Sequence, residues 1–158
     1  MNEANDATDE PNRAGLAARL AAHPFLRGMN SHQFGLLAEC AIPTHFDTGQ
    51  VIFRAGEPAN GFYLIERGSV VLEGAGEDQK PVTIDIVSAG EPLGWSWLFP
   101  PYLWQFTARA AERTTAICLA GTMLRQHRDE DLTLSHELFK RMSEVMVRRL
   151  QAARGKLI

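Results

Sequence analysis

Between residues 41 and 87 the chain is cut into short apolar runs by turn signals at near-regular spacing, and this punctuation limits its fold more than any other feature. Ala41 to Phe46, Val51 to Arg54, Phe62 to Arg67, Val70 to Glu73 and Val82 to Val87 are rich in β-branched or aromatic residues. Between them stand Asp47-Thr48-Gly49, the stretch from Ala55 to Gly61, Arg67-Gly68 and Gly74-Ala75-Gly76-Glu77-Asp78. The pattern predicts an antiparallel sandwich or barrel, with Phe106 to Ala111 and Thr114 to Ala120 returning as its last two strands. In Val82-Thr83-Ile84-Asp85-Ile86, alternation puts Val82, Ile84 and Ile86 on one face and Thr83 and Asp85 on the other.

Helical segments flank this β region. Ala14 to Ala22 carries apolar and basic residues at helical spacing, and Ser31 to Cys40 reads as a short helix with Ser31 as N-cap. Gly121 opens a helical region that breaks near Asp129 to Asp131, and a long helix runs from Leu134 to Ala153. Phe139, Met142, Met146, Leu150 and Ala153 make one apolar stripe along it, widened by Leu138 and Val145. Lys140, Arg141, Glu144, Arg148 and Arg149 lie largely off the stripe. Such a helix either lies against its own barrel or pairs with a second copy. The length of the stripe favours a homodimer through Phe139, Met142, Met146 and Leu150.

With 158 residues, 45% of them hydrophobic, the chain has material for one well-buried domain. The expected organisation is a disordered tail over 1–12, a β domain over 13–130 and a dimerisation helix over 131–158. A net charge of −3 argues against general nucleic-acid binding. No run approaches the roughly 18 apolar residues of a membrane span, and the acidic N-terminus is unlike a signal peptide, so a cytoplasmic location is expected. Cys40 and Cys118 stand far apart in no ligand spacing and read as free thiols, and no two histidines are four apart. No metal site is expected. Nor is an enzyme: there is no nucleophile elbow, HExxH, Walker loop or paired-carboxylate pattern. Asp129-Glu130-Asp131 reads as solvated capping charge.

The run from His45 to Val70, with Gly49, Gly56-Glu57, Phe62-Tyr63-Leu64-Ile65 and Gly68 at its turns and strands, resembles the cyclic-nucleotide-binding domain family. The resemblance continues through Ala89-Gly90-Glu91-Pro92-Leu93-Gly94 and Thr107-Ala108-Arg109-Ala110. Met146-Val147-Arg148-Arg149-Leu150-Gln151 looks like the long C-terminal helix of the bacterial catabolite activator branch, so that residues 24–155 are covered. It implies a mainly β fold, an antiparallel jelly roll with N-terminal helices and a long C-terminal helix, and a sensor or regulatory role. In that family a cassette reads Gly-Glu-x-x-Leu-Leu and, about nine residues after the Glu, Arg-(Ser/Thr)-Ala. The Glu holds the ribose hydroxyl and the Arg the cyclic phosphate.

Laid on this chain, the cassette departs from the family at its charged positions. Gly94 matches the glycine and Leu98-Phe99 the apolar pair, but Trp95 stands at the Glu position and Trp104-Gln105 at the Arg-Ser pair. Glu91 matches a turn acid before the cassette and Arg109 a strand arginine after it, so neither restores the missing charge. The C-helix hydroxyl that contacts the purine is also absent, replaced by Ala152, Ala153 and Arg154. The degenerate ligand site therefore comprises Gly94, Trp95, Ser96, Trp97, Leu98, Trp104, Gln105 and Phe106, and tight binding of cAMP or cGMP is not expected.

Two uses remain for the rings. They fill the pocket and make a rigid interaction module, or Trp95, Trp97 and Trp104 form an aromatic box for a small planar ligand. Alternation points Trp97 outward toward a partner surface, while packing beneath the C-helix is the competing placement. A true cyclic-nucleotide sensor with a rearranged site, and the sensor half of a transcription regulator of the Crp/Fnr type, are the alternatives. DNA binding would need a helix-turn-helix beyond Ile158.

Overall fold

The computed structural model describes residues 15–156; the expected tail over 1–12 lies outside them. A helix over 15–22 (α1), a 3-10 turn at Pro24–Leu26 and α2 (Ser31–Cys40) precede the strands. These are β1 (Ala41–Phe46), β2 (Val51–Phe53), β3 (Gly61–Arg67), β4 (Ser69–Ala75), β5 (Pro81–Ser88), β6 (Pro92–Leu93), β7 (Thr107–Ala110) and β8 (Thr114–Ala120). They make two four-stranded antiparallel sheets, ordered β1-β8-β3-β6 and β2-β7-β4-β5. Chain neighbours such as β1 and β2 lie in different sheets, which is the crossing pattern of a jelly roll. The α3 helix (Gly121–Glu130) and α4 helix (Leu132–Lys156) follow.

The two sheets close over Phe62, Leu64, Ile65, Val70, Leu72, Val87, Ala108, Ala110, Ile117 and Leu119, all buried. At the β3–β4 reversal Gly68 has φ +95°, and a Cβ there would stand 2.5 Å from the Arg113 carbonyl oxygen. Only glycine fits that corner. Both cysteines are free, as expected.

Four local features differ from the sequence expectation. The N-cap of α2 is Asn30 rather than Ser31: its side chain accepts from the Gln33 amide at 2.8 Å, and Gln33 returns an acceptor to the Asn30 amide at 3.0 Å. Strand β6 was not foreseen, because two residues paired with Tyr63 and Leu64 are too short to show a period. The break before α4 shrinks to one residue. The Asp131 carboxylate accepts from the Leu134 amide and the Thr133 hydroxyl, capping a helix that starts at Leu132. A bulge between Leu72 and Glu73 interrupts the β4–β5 register, so strict alternation fails in β5. Val82, Ile84 and Ile86 are exposed, and Val87 carries the burial.

The α4 helix has two apolar faces, not one stripe. Leu134, Leu138, Met142 and Val145 are buried against the domain. At 100° per residue, Leu132, Phe139, Met146 and Leu150 project roughly 100° away from that group. Leu132 is 82% and Leu150 71% exposed. Met142, expected in the dimer seam, is only 1% exposed, so it belongs to the domain's own core. Arg149, expected off the stripe, also turns inward and reaches the β domain.

Candidate functional site

The cassette leaves β6 at Gly94, whose φ of +90° turns the chain, and the Leu98 amide closes the turn on the Trp95 carbonyl at 3.0 Å. Two arginines of α3 hold its far side. Arg125 donates to the carbonyls of Trp97 (3.2 Å) and Ala59 (3.3 Å) and lies 4.5 Å over the Tyr102 ring. Arg128, itself buried, donates to the Leu98 carbonyl at 3.0 Å. Residues 99–105 then form a strap over the β2–β3 loop. Gly56 N–H donates to Trp104 O at 2.8 Å, Trp104 N–H to Glu57 O at 2.9 Å, and Ala59 N–H to Tyr102 O at 2.7 Å.

The three tryptophans do not form a box. Trp104 is 5% exposed and stacks on Phe53, with centroids 3.7 Å apart and planes at 9°. The benzo end of its ring meets Gly94, where an added Cβ would sit 2.6 Å from Cζ3 and 2.8 Å from Cη2. Trp97 is fully buried beside Phe62, which corrects the outward placement that alternation suggested. The turn, not a strand, sets its direction. Its indole N–H has no protein acceptor. Trp95 alone faces outward, edge-on to Phe106 at 6.0 Å and under the Arg149 guanidinium at 5.5 Å.

Among the other site residues, Leu98 is buried, and Gln105 folds back to donate to the Leu103 carbonyl. Phe53, Leu72, Gly94, Trp95, Ser96, Trp104, Gln105 and Phe106 surround what is left of the inner cavity. About 10 Å³ remains, near the minimum for a single water. The cavity carries no guanidinium or carboxylate, and the rings of Trp104 and Phe53 stand in it. Glu91 and Arg109 are committed elsewhere. Glu91 accepts from the Ser88 amide, while Arg109 pairs with Glu73 and bonds the Gly49 carbonyl.

Beyond Trp95 the surface opens into a cleft of about 700 Å³ between the β4–β5 hairpin and the end of α4. Ile84, Phe106, Met146, Leu150 and Ala153 line it, with Asp85 and Arg149 as its polar groups. Arg149 donates to the Pro92 carbonyl at 2.9 Å and stands 3.9 Å from both Asp85 and Glu91. Burial lowers its pKa against the pull of those carboxylates, but a guanidinium stays charged at neutral pH.

Sequence reasoning did not single out Phe53, Leu72, Arg125, Arg128 or Arg149 for this site. Their partners are backbone carbonyls and ring faces, which leave no motif. Burial pushes the Cys40 thiol up to about 12 and raises Cys118 as well, which favours the protonated thiol at both. Among the described residues no cluster of three or more His, Cys, Asp or Glu could hold a metal, and no helix is long and apolar enough to cross a membrane.

Residues 43–131 match the family model of the cyclic nucleotide-binding domain. The chain belongs to that family. A solved structure of a putative cyclic nucleotide-binding protein from Geobacter metallireducens GS-15 is similar, with 25% identity, a TM-score of 0.77, and coverage of 85% of this chain and 97% of that one. The regulatory domain of Toxoplasma gondii PKA, solved with cAMP, is 25% identical with a TM-score of 0.71, over 88% of this chain and 52% of that one. A stretch of 70 residues is 40% identical to the acetyltransferase Pat of Mycolicibacterium smegmatis. It covers 44% of this chain and only 21% of that protein. The cyclic nucleotide-binding fold is thus shared.

Proposed function

We propose that this domain is a non-catalytic, cytoplasmic regulatory module that does not hold cAMP or cGMP in its cassette and acts as a dimeric interaction scaffold. One observation carries the reading: Trp104, stacked on Phe53 and Gly94, leaves about 10 Å³ where a phosphate and ribose would have to lie. Removing a charge-assisted arginine–phosphate contact costs about 2–5 kcal/mol, or roughly 30- to 5,000-fold in affinity, before the steric block is counted. Calorimetry should register no binding of cAMP or cGMP at ~100 μM; saturable low-micromolar binding of either overturns the reading.

The second apolar face of α4 supports the dimer. Leu132, Phe139 and Leu150 are exposed along one line, and Phe99 of the cassette extends it by an edge contact with Phe139 at 6.1 Å. The expected protein sediments as a dimer at tens of micromolar, and Leu150→Glu with Phe139→Glu turns it into a folded monomer. A monomeric wild type ends the dimer proposal. The 40% identical stretch within an acetyltransferase supports a place beside a catalytic domain as one setting for such a module.

A specific observation favours a second reading. The 700 Å³ cleft beside Trp95 is within the usual size of a small-molecule site and mostly apolar. A sensor for an uncharged planar ligand would use it. Saturable quenching of Trp95 fluorescence by a member of a metabolite panel, lost in Ala153→Trp, is the outcome that supports this reading.

A further inference from the structure

The strap over residues 99–105 has an unusual balance of contacts. Phe99, Pro100, Pro101, Leu103 and Gln105 are exposed and Tyr102 is half-buried, so Trp104 is the one residue of the strap inside the protein. Its ring enters a slot made by other parts of the chain: Phe53 of β2 stacks one face, and the bare Cα of Gly94 meets the ring. The strap also ends the hydrogen-bonded chain that starts on α3. Arg125 grips the Trp97 carbonyl on one side of the strap and the Tyr102 ring within it. From the strap the indole therefore touches two further pieces of structure, β2 and the Gly94 turn, which no backbone hydrogen bond joins directly among the described residues.

We infer that Trp104 is a ligand tethered to its own chain. Its indole occupies a ring-sized binding slot, and that occupancy adds the side-chain hold between Gly94 and β2 to the backbone hydrogen bonds that tie the strap to the β2–β3 loop. The slot belongs to the chain and not to the tryptophan: Phe53 and Gly94 keep its shape when the indole is removed. The chemical class it accepts is an uncharged, planar, fused aromatic ring of indole size, because the Phe53 ring offers a flat apolar face, Gly94 presents no side chain, and no charged residue lines the cavity. This rests on the reading that the phosphate cradle is closed by a side chain. It goes further in assigning that side chain the organising role of a bound ligand.

The test is chemical rescue of Trp104→Gly by free indole. Truncating a buried ring of this size should lower the midpoint of thermal unfolding by about 10 °C. Millimolar indole should restore several degrees of that loss in a saturable manner and leave wild type unmoved. Hydrogen exchange supplies the second readout: amides 94–104 should lose protection in Trp104→Gly and regain it with indole, while amides of β1 and β8 stay unchanged. If Trp104→Gly does not fold, Trp104→Leu with benzene as the probe replaces it, with the same expectation. A folded variant that neither ring stabilises, or whose strap stays protected without one, overturns the tethered ligand and leaves the closed cradle standing. Stabilisation of wild type by cAMP is a different result: it overturns the closed cradle itself.

Discussion

Trp95 and Trp104 stand at the two charged positions of one cassette, yet the structure puts them in opposite surroundings. Trp104 is walled in by Phe53 and Gly94 and leaves about 10 Å³. Trp95, nine residues earlier, keeps one side against Phe106 and Arg149 and opens on a 700 Å³ cleft. The same exchange of a charge for an indole therefore closes one half of the site and furnishes the other. What decides the outcome is the opposing wall. A β-strand and a glycine turn give the inner ring no way out, whereas α4 stands off from the outer one.

The widest separation between the two rings should appear in stability. Trp104→Ala removes a buried ring and is expected to cost about 3–5 kcal/mol, against about 1–2 kcal/mol for the half-buried Trp95→Ala. Urea unfolding of both variants reads the difference, and equal losses would erase the contrast between inner and outer ring. A narrower probe targets the inner wall. Gly94→Ala places a methyl into the Trp104 ring at a φ of +90°, for an expected loss of about 2–4 kcal/mol. Combined with Trp104→Ala, the same change should cost only the backbone part, about 1–2 kcal/mol. Additive losses would mean that the ring and the glycine do not press on each other.

The smallest effect lies away from both rings and serves as their common reference. His23 is buried, its Nδ1 accepting from the Phe25 amide and its Nε2 bonded to the Ile65 carbonyl at 2.8 Å, an arrangement that suits the neutral ring with the proton on Nε2. Burial lowers its pKa, so below the ordinary value near 6.5 the unfolded chain takes up a proton that the folded one refuses. Stability should fall as pH drops through that value, and His23→Gln should flatten the fall. The slope should be the same in wild type and Trp104→Ala; a different slope would couple the inner ring to His23.

The fold was legible where turns and strands obey local rules. β1 and β8 begin and end at the residues expected, because glycine-rich turns and β-branched runs mark both. The rest was hidden by features with no local signature. The bulge opposite Leu72 changes which face Ile84 presents, and a strand of two residues has no period. In the site, the loss of both charged anchors could be read directly from Trp95 and Trp104. The direction of Trp97 could not, since it lies in a turn whose course is fixed from α3 by Arg125, 28 positions beyond Trp97, and Arg128, 30 beyond Leu98. The apolar positions of α4 were likewise visible, but their division into two faces depends on which side the β domain occupies, and Met142 moved from the expected seam to the core.

Those two arginines have a mechanical side. The carbonyls of Trp97 and Leu98 are bolted to α3, and α3 passes into α4 through Asp131 alone, whose carboxylate is already tied to Leu134 and Thr133. The 25-residue helix that carries the exposed apolar line is thus joined to the cassette carbonyls through one residue and two guanidinium groups.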